Sequence, residues 1–224
     1  MMSPNELLHD WNLTPKQAIA VQNELRGRVC LHNDFGRVRY VAGVDVGFES
    51  NKSITRAAVA VLSIPNLELV EHAIARVPTS FPYVPGLLSF RELPAVLRAL
   101  QQLTIQPDLC LVDGQGYAHP RRFGIACHLG VLTNIPCIGV AKSRLIGESD
   151  EPPNERGGWQ PLMNKNETIG AVLRNKSNTR PLYISIGHRI TLAAAMEWVL
   201  ACTTRYRLPE TTRHAHRLAS GAKK

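Results

Sequence analysis

The apolar periodicity of this chain changes character at one point, and that change restricts the fold more than any other feature. Three strand-like runs, at about 37–47, 55–64 and 68–77, follow one another through brief connections and read as an antiparallel meander. From residue 89 the period becomes helical, with Phe90, Leu93, Val96, Leu97, Leu100 and Leu103 on one stripe. A strand at 107–113, a helix at 120–133 and a strand at 135–140 then make a βαβ unit, which requires parallel pairing. The Pro-, Gly- and charge-rich stretch 147–166 reads as a long exposed loop. Strands at 168–174 and 181–186, an amphipathic helix from Leu192 to Cys202 and a short helix near Pro209 complete the chain.

Antiparallel strands, a helix and then parallel strands with helices give an α/β fold: one mixed β-sheet flanked by helices. This order is that of the ribonuclease H-like architecture, which places acidic residues on neighbouring central strands. All 224 residues fit a single domain, with an N-terminal helix at 14–28, a sheet core at 37–186, C-terminal helices at 191–219 and a flexible tail at 220–224. Thr14 as N-cap, Pro15 in the first turn and Gln17 as its capping-box partner signal the first helix.

Two aspartates close strand-like apolar runs: Asp45 in Tyr40-Val41-Ala42-Gly43-Val44-Asp45-Val46 and Asp113 in Leu109-Cys110-Leu111-Val112-Asp113-Gly114. A carboxylate at the edge of a buried strand is costly unless a cation pairs with it. A shared divalent metal is the simplest way to satisfy both, and a turn cap or separate salt bridges are the alternatives. Phosphodiester hydrolysis has a use for such a site, because two metal ions roughly 3.5–4 Å apart can activate water and neutralise the leaving oxygen. Hard carboxylate ligands suit Mg²⁺, with Mn²⁺ able to substitute. Glu92 is the candidate third carboxylate, although Ser89-Phe90-Arg91-Glu92 also spells a capping box.

Lys plus Arg number 26 against 18 Asp plus Glu, a net charge of +8 that favours polyanionic partners, nucleic acid before an acidic membrane surface. His119-Pro120-Arg121-Arg122 opens the predicted helix at 120, where Arg121 and Arg122 can bind phosphate or form a solvated basic face. Lys142 follows the next strand and points to the same sheet edge as Asp113. Pro82-Tyr83-Val84-Pro85-Gly86 is a stiff loop that either presents Tyr83 as a wedge between bases or is a plain surface turn. Of His214 and His216, two apart on a helix, at most one can face a given site, and His188 is a further candidate. The five cysteines contain no Cys-x-x-Cys pair, so neither a disulfide framework nor a zinc site is expected. With no apolar stretch of membrane-spanning length, the expectation is a cytoplasmic protein with no membrane partner.

Taken together, these runs resemble the endonuclease V family, nucleases that cut beside deaminated bases. The residues that carry the likeness are Val44-Asp45-Val46-Gly47-Phe48-Glu49, Pro82 to Gly86 with Ser89 to Glu92, Val112-Asp113-Gly114-Gln115-Gly116 with His119 to Arg122, Ile138-Gly139-Val140-Ala141-Lys142-Ser143, and Tyr206-Arg207-Leu208-Pro209-Glu210-Thr211-Thr212-Arg213. The likeness runs from about residue 12 to 219. It implies a ribonuclease H-like fold, dependence on Mg²⁺ or Mn²⁺, and hydrolysis of the second phosphodiester 3′ to a deoxyinosine. A 3′-hydroxyl and a 5′-phosphate would remain, initiating DNA repair. By motif position, Asp45, Glu92 and Asp113 would bind metal, and His216 would be the fourth site residue. Lys142 would orient water or phosphate. Tyr83, with Pro82, Val84 and Pro85, would separate strands. The flipped hypoxanthine would enter a pocket made by Gly86, Leu88, Gly114, His119 and Ile125. Many family members carry His where this chain has Gln115. Two alternatives remain: inosine-containing RNA as substrate, and a lesion-binding protein without turnover. A monomer is expected.

Overall fold

The computed structural model describes residues 8–221. Helix α1 spans Pro15–Leu25, and β1 (Tyr40–Glu49), β2 (Ile54–Ser63) and β3 (Glu68–Pro78) follow as an antiparallel meander. Helix α2 (Leu88–Leu100), β4 (Leu109–Val112), α3 (Ile125–Thr133) and β5 (Cys137–Ala141) come next, with β1, β4 and β5 parallel. Strands β6 (Trp159–Asn164), β7 (Glu167–Leu173) and β8 (Leu182–His188) and helices α4 (Leu192–Ala201) and α5 (Glu210–Ala219) end the chain. The eight strands form one mixed sheet in the order β3-β2-β1-β4-β5-β8-β7-β6, flanked by helices as the ribonuclease H-like expectation requires.

Strand alternation sorts the sheet into two faces. Ala42, Val44, Cys110 and Val112 pack on one face against Leu93 and Val96 of α2 and Leu129 of α3. Val41, Leu109, Leu111, Ile138 and Val140 form the other face, with Ala195 and Val199 of α4. Helix α5 lies on that second face, where Ala215 meets Ala60 and Leu62. Its approach is so close that a Cβ on Gly43 would stand 2.0 Å from the Thr211 carbonyl oxygen. Only glycine lets the helix sit there.

The first helix starts as its sequence dictates: Thr14 and Gln17 form a reciprocal capping box, and a 3₁₀ turn at Arg26–Arg28 follows α1. Two expectations are corrected, and one open alternative is decided. The stretch 147–166 is not all loop, because β6 pairs antiparallel with β7. β6 is an edge strand, and an edge tolerates the donor that Pro161 lacks. Helix α3 begins at Ile125 rather than 120, since Arg122 has a left-handed φ of 57° that no helix accommodates. The Ser89–Glu92 capping box does not form: Leu87 precedes α2 without a side-chain cap, and the Ser89 hydroxyl bonds His128 Nδ1 at 3.0 Å instead. Of the C-terminal tail at 220–224, residues 222–224 lie outside the described residues. Among the described residues no helix is long and apolar enough to cross a membrane.

Candidate active site

Alternation fixes the direction of the acidic groups. Asp45 shares the parity of Val41 and Gly43, and Asp113, just past β4, shares that of Leu109 and Leu111. The Asp113 backbone N–H donates to the Val44 carbonyl at 2.9 Å, which prolongs the β1–β4 pairing and sets the two carboxylates side by side. His216 arrives from α5 and places Nδ1 2.7 Å from Asp45 Oδ2, while the Val46 N–H donates to Asp45 Oδ1 at 2.8 Å. Ligand atoms of Asp45, Asp113 and His216 all lie within 4.8 Å of one another. Lys142, continuing the parity of Ile138 and Val140, pairs with Asp113 Oδ2.

The electrostatics of the cluster call for a cation. Burial, followed by the Asp113 carboxylate, raises the pKa of Asp45, and the His216 hydrogen bond only partly offsets this. Glu92, buried on α2, is pushed up to about 8 by burial and then by Asp45 and Asp113. It stands outside the 4.8 Å set, yet both carboxylates act on it. Two neighbouring carboxylates with an imidazole, all offering hard or borderline donors, fit a divalent metal. A carboxylate accepting from His216 Nδ1–H also leaves Nε2 as the free ring nitrogen.

A cavity of about 410 Å³ opens beside the cluster, with Asp113 and Lys142 in its wall. Gly86, Leu88, Gly114, His119 and Ile125 all line it, as do Tyr83, Val84 and Pro85; Tyr83 is 72% exposed at its rim. Pro82 is exposed just ahead of it. The Gly86 carbonyl accepts three hydrogen bonds, from Gln22 Nε2 and His119 Nε2 at 3.0 Å each and from Arg121 Nη2 at 2.7 Å. His119 therefore keeps its proton on Nε2, and Nδ1 accepts from the Arg121 N–H. Burial, reinforced by Arg121, lowers its pKa to about 4, so it stays neutral. Gly114 has a φ of 151°, and a Cβ there would meet Ile125 Cγ2 at 2.6 Å.

The arginines are placed differently from expectation, in a turn ahead of α3 rather than at its N-terminus. Arg121 is committed to Gly86 and to Gln22 Oε1, and Arg122 to Glu167 and Asn164. Of the histidine candidates, His216 alone joins the cluster. His188 Nδ1 accepts from the Cys30 N–H, and His214 Nδ1 is buried without a partner. Gln115 donates from Nε2 to the Ser143 carbonyl, an acceptor only, so its Oε1 is left buried without a donor. Sequence reasoning missed Gln22. Its signal is a polar residue on the buried stripe of α1, between Ala18 and Leu25.

The family model described as Endonuclease V matches residues 23–217. An endonuclease V of Rippkaea orientalis is 58% identical over 205 residues, covering 92% of this chain and 90% of that protein. The crystal structure of the endonuclease V of Streptomyces avermitilis superposes with a TM-score of 0.90 at 46% identity, covering 94% of this chain and 93% of that one. That of Ciona intestinalis endonuclease V, in complex with a DNA 24-mer containing an inosine followed by a ribo-adenosine, superposes with a TM-score of 0.81 at 30% identity. It covers 92% of this chain and 95% of that one.

Proposed function

This chain belongs to the endonuclease V family of hydrolytic nucleases, and on that premise we propose that it cuts DNA at the second phosphodiester 3′ to a deoxyinosine. The products are a 3′-hydroxyl and a 5′-phosphate, and the nick starts repair of the deaminated base. The supporting observation is the adjacency of a cavity of about 410 Å³, roomy enough for a flipped base, and an acidic cluster at the strand ends, with Asp113 and Lys142 common to both. The inosine-containing DNA held by the Ciona intestinalis relative supports the same substrate.

Asp45, Asp113 and Glu92, with His216, are the residues that would hold Mg²⁺ or Mn²⁺. A bound divalent cation supplies positive charge at the phosphate and lowers the pKa of an attacking water. His216 orients the Asp45 carboxylate through its 2.7 Å contact. Lys142 is paired with Asp113 at the cavity wall and is placed to turn toward an arriving phosphate. Tyr83, stiffened by Pro82 and Pro85, enters the duplex and holds the strands apart. The base then flips into the cavity between Leu88 and Ile125, where backbone groups at Gly86 and Gly114 read its edge. Hypoxanthine offers a carbonyl and an N–H where adenine offers an amino group and a bare nitrogen. Fixed partners of the opposite polarity reject adenine by leaving buried groups unpaired.

A nicking assay on an end-labelled duplex with one deoxyinosine tests this. Cutting two bonds 3′ of the lesion in Mg²⁺ and none in excess chelator is the expected result. Equal cutting of an adenine control, or full activity in chelator, overturns it. Tight binding with no nick in either metal would point to a lesion-binding protein. The ribo-adenosine after the inosine in the Ciona intestinalis complex favours a second reading, inosine-containing RNA. Competition between matched DNA and RNA strands, each with one inosine, decides between them.

A further inference from the structure

Between α4 and α5 the chain carries a second exposed aromatic that the proposed mechanism leaves unused. Tyr206 is 48% exposed, with the Arg213 guanidinium 4.9 Å and the Arg205 guanidinium 5.7 Å from its ring centroid. This segment is tied to the acidic cluster in two ways. Arg207 Nη2 donates to the Lys142 carbonyl at 3.3 Å, and Lys142 pairs with Asp113. Arg213 lies three residues before His216 on α5, so the two share one side of that helix. Exposed Arg180, whose carbonyl receives Arg207 Nε at 2.7 Å, adds to the positive charge. The Glu210 carboxylate beside Arg213 is buried and spent on Arg213 and Thr204.

We propose that Tyr206, whose ring carries the Arg205 and Arg213 guanidinium groups over it, is a stacking platform for an unpaired base of the substrate strand on the 3′ side of the cut. The position of the platform across the sheet sets that polarity. The base cavity lies on the α2–α3 side of the sheet, lined by Leu88 and Ile125 from the first turns of those helices. The acidic cluster sits at the strand ends, and Tyr206 lies against Arg213 of α5, on the side of the sheet where Leu208 packs. A strand that leaves its inosine in the cavity and crosses the carboxylates therefore continues toward Tyr206. The Arg205 and Arg213 guanidinium groups lie over that ring, and a base that takes the ring face with its own π-face releases them to the phosphates of the strand. This rests on the cleavage position proposed above, since a cut on the 5′ side would reverse the polarity.

The test pairs protein variants with substrate variants. One inosine oligonucleotide has its 3′ segment unpaired, and a second carries abasic sites at the second to fourth nucleotides 3′ of the inosine. Tyr206→Leu is expected to raise KM and weaken binding about tenfold on the first substrate, the scale of one lost base–aromatic stack, with kcat kept within about twofold. Tyr206→Trp should restore wild-type values. On the abasic substrate Tyr206→Leu and wild type should be alike. An equal penalty on both substrates would mean that Tyr206 only supports the fold, and no penalty on either would mean that no base stacks there; either result overturns the platform. Wild type is scored on both substrates for cutting and, separately, by fluorescence anisotropy for binding. A wild-type protein that binds but does not cut refutes the cleavage reading, and the binding comparison still judges Tyr206.

Discussion

Glu92→Gln should make the metal-free protein more stable while abolishing its activity. The Glu92 carboxyl titrates at about 8 in the folded chain against 4.5 for an unperturbed glutamate, because it is buried and faces Asp45 and Asp113. A folded-state pKa above the unfolded one means that folding favours the protonated form. The associated stability is fully present below about pH 4.5 and is lost as pH rises through about 8. The resulting penalty is about 3 kcal/mol near pH 7 and on the order of 5 kcal/mol above pH 8. Glutamine keeps the shape and carries no charge, so the variant escapes that penalty. Urea unfolding in chelator is the assay. Wild type should lose stability relative to the variant between about pH 5 and 8, with the variant ahead by about 2–5 kcal/mol at the upper end. Adding Mg²⁺ or Mn²⁺ should then stabilise wild type more than Glu92→Gln, because a cation removes the repulsion that the variant never had. A variant no more stable than wild type above pH 8 in chelator would refute the reasoning.

Three further outcomes follow from the same geometry. Asp45→Asn and Asp113→Asn should each abolish nicking of an inosine duplex in Mg²⁺, and full activity in either would remove the carboxylates from the metal site. Tyr83→Ala should weaken binding of the inosine duplex about tenfold without changing a calorimetric metal titration, and unchanged affinity would dismiss the wedge. Gln22→Ala takes one donor from the Gly86 carbonyl and the acceptor from Arg121 Nε. It should cost about 1–3 kcal/mol in urea unfolding and narrow the inosine-to-adenine cutting ratio, whereas an unaltered ratio would show that the Gly86 carbonyl needs no such support.

What the sequence makes legible here is local, and what it hides depends on contacts between distant segments. The meander and the βαβ unit can be read because each strand or helix carries its own periodicity. Asp45 and Asp113 stand out for a related reason, as charges closing apolar runs. Glu92 is ambiguous on its own: Ser89 five residues from Pro94 and three from Glu92 suits a cap, and only the bond from Ser89 to His128, 39 residues away, decides against it. Likewise the backbone at Arg122 turns left-handed where Glu167 and Asn164 hold its guanidinium, contacts 45 and 42 residues distant. Gln22 joins the cavity wall through contacts with Gly86 and Arg121, 64 and 99 residues away. Strand β6 is obscured differently, by a proline that an edge position accepts.

The two-residue repeat of a strand also sets the acidic cluster and much of the cavity on different sides of one sheet. Asp45, Asp113 and Lys142 all fall on the parity of the face covered by α4 and α5, and His216 can reach Asp45 because α5 lies on that face. Much of the cavity is built from the opposite layer, by the starts of α2 and α3 and by Gln22 of α1, while Asp113 and Lys142 reach its wall from the acidic face. Shifting β1 by a single residue would turn Asp45 into the α2–α3 core and bring Val44 toward α5. Such a shift would bury a carboxylate among Leu93, Val96 and Leu129, so the apolar packing of that layer itself specifies the register that the acidic site needs. A nucleotide seated in the cavity then has its base on one side of the sheet while its strand must cross the edge to meet the carboxylates. That separation gives the proposed cut, displaced from the recognised base, a geometric cause in the fold.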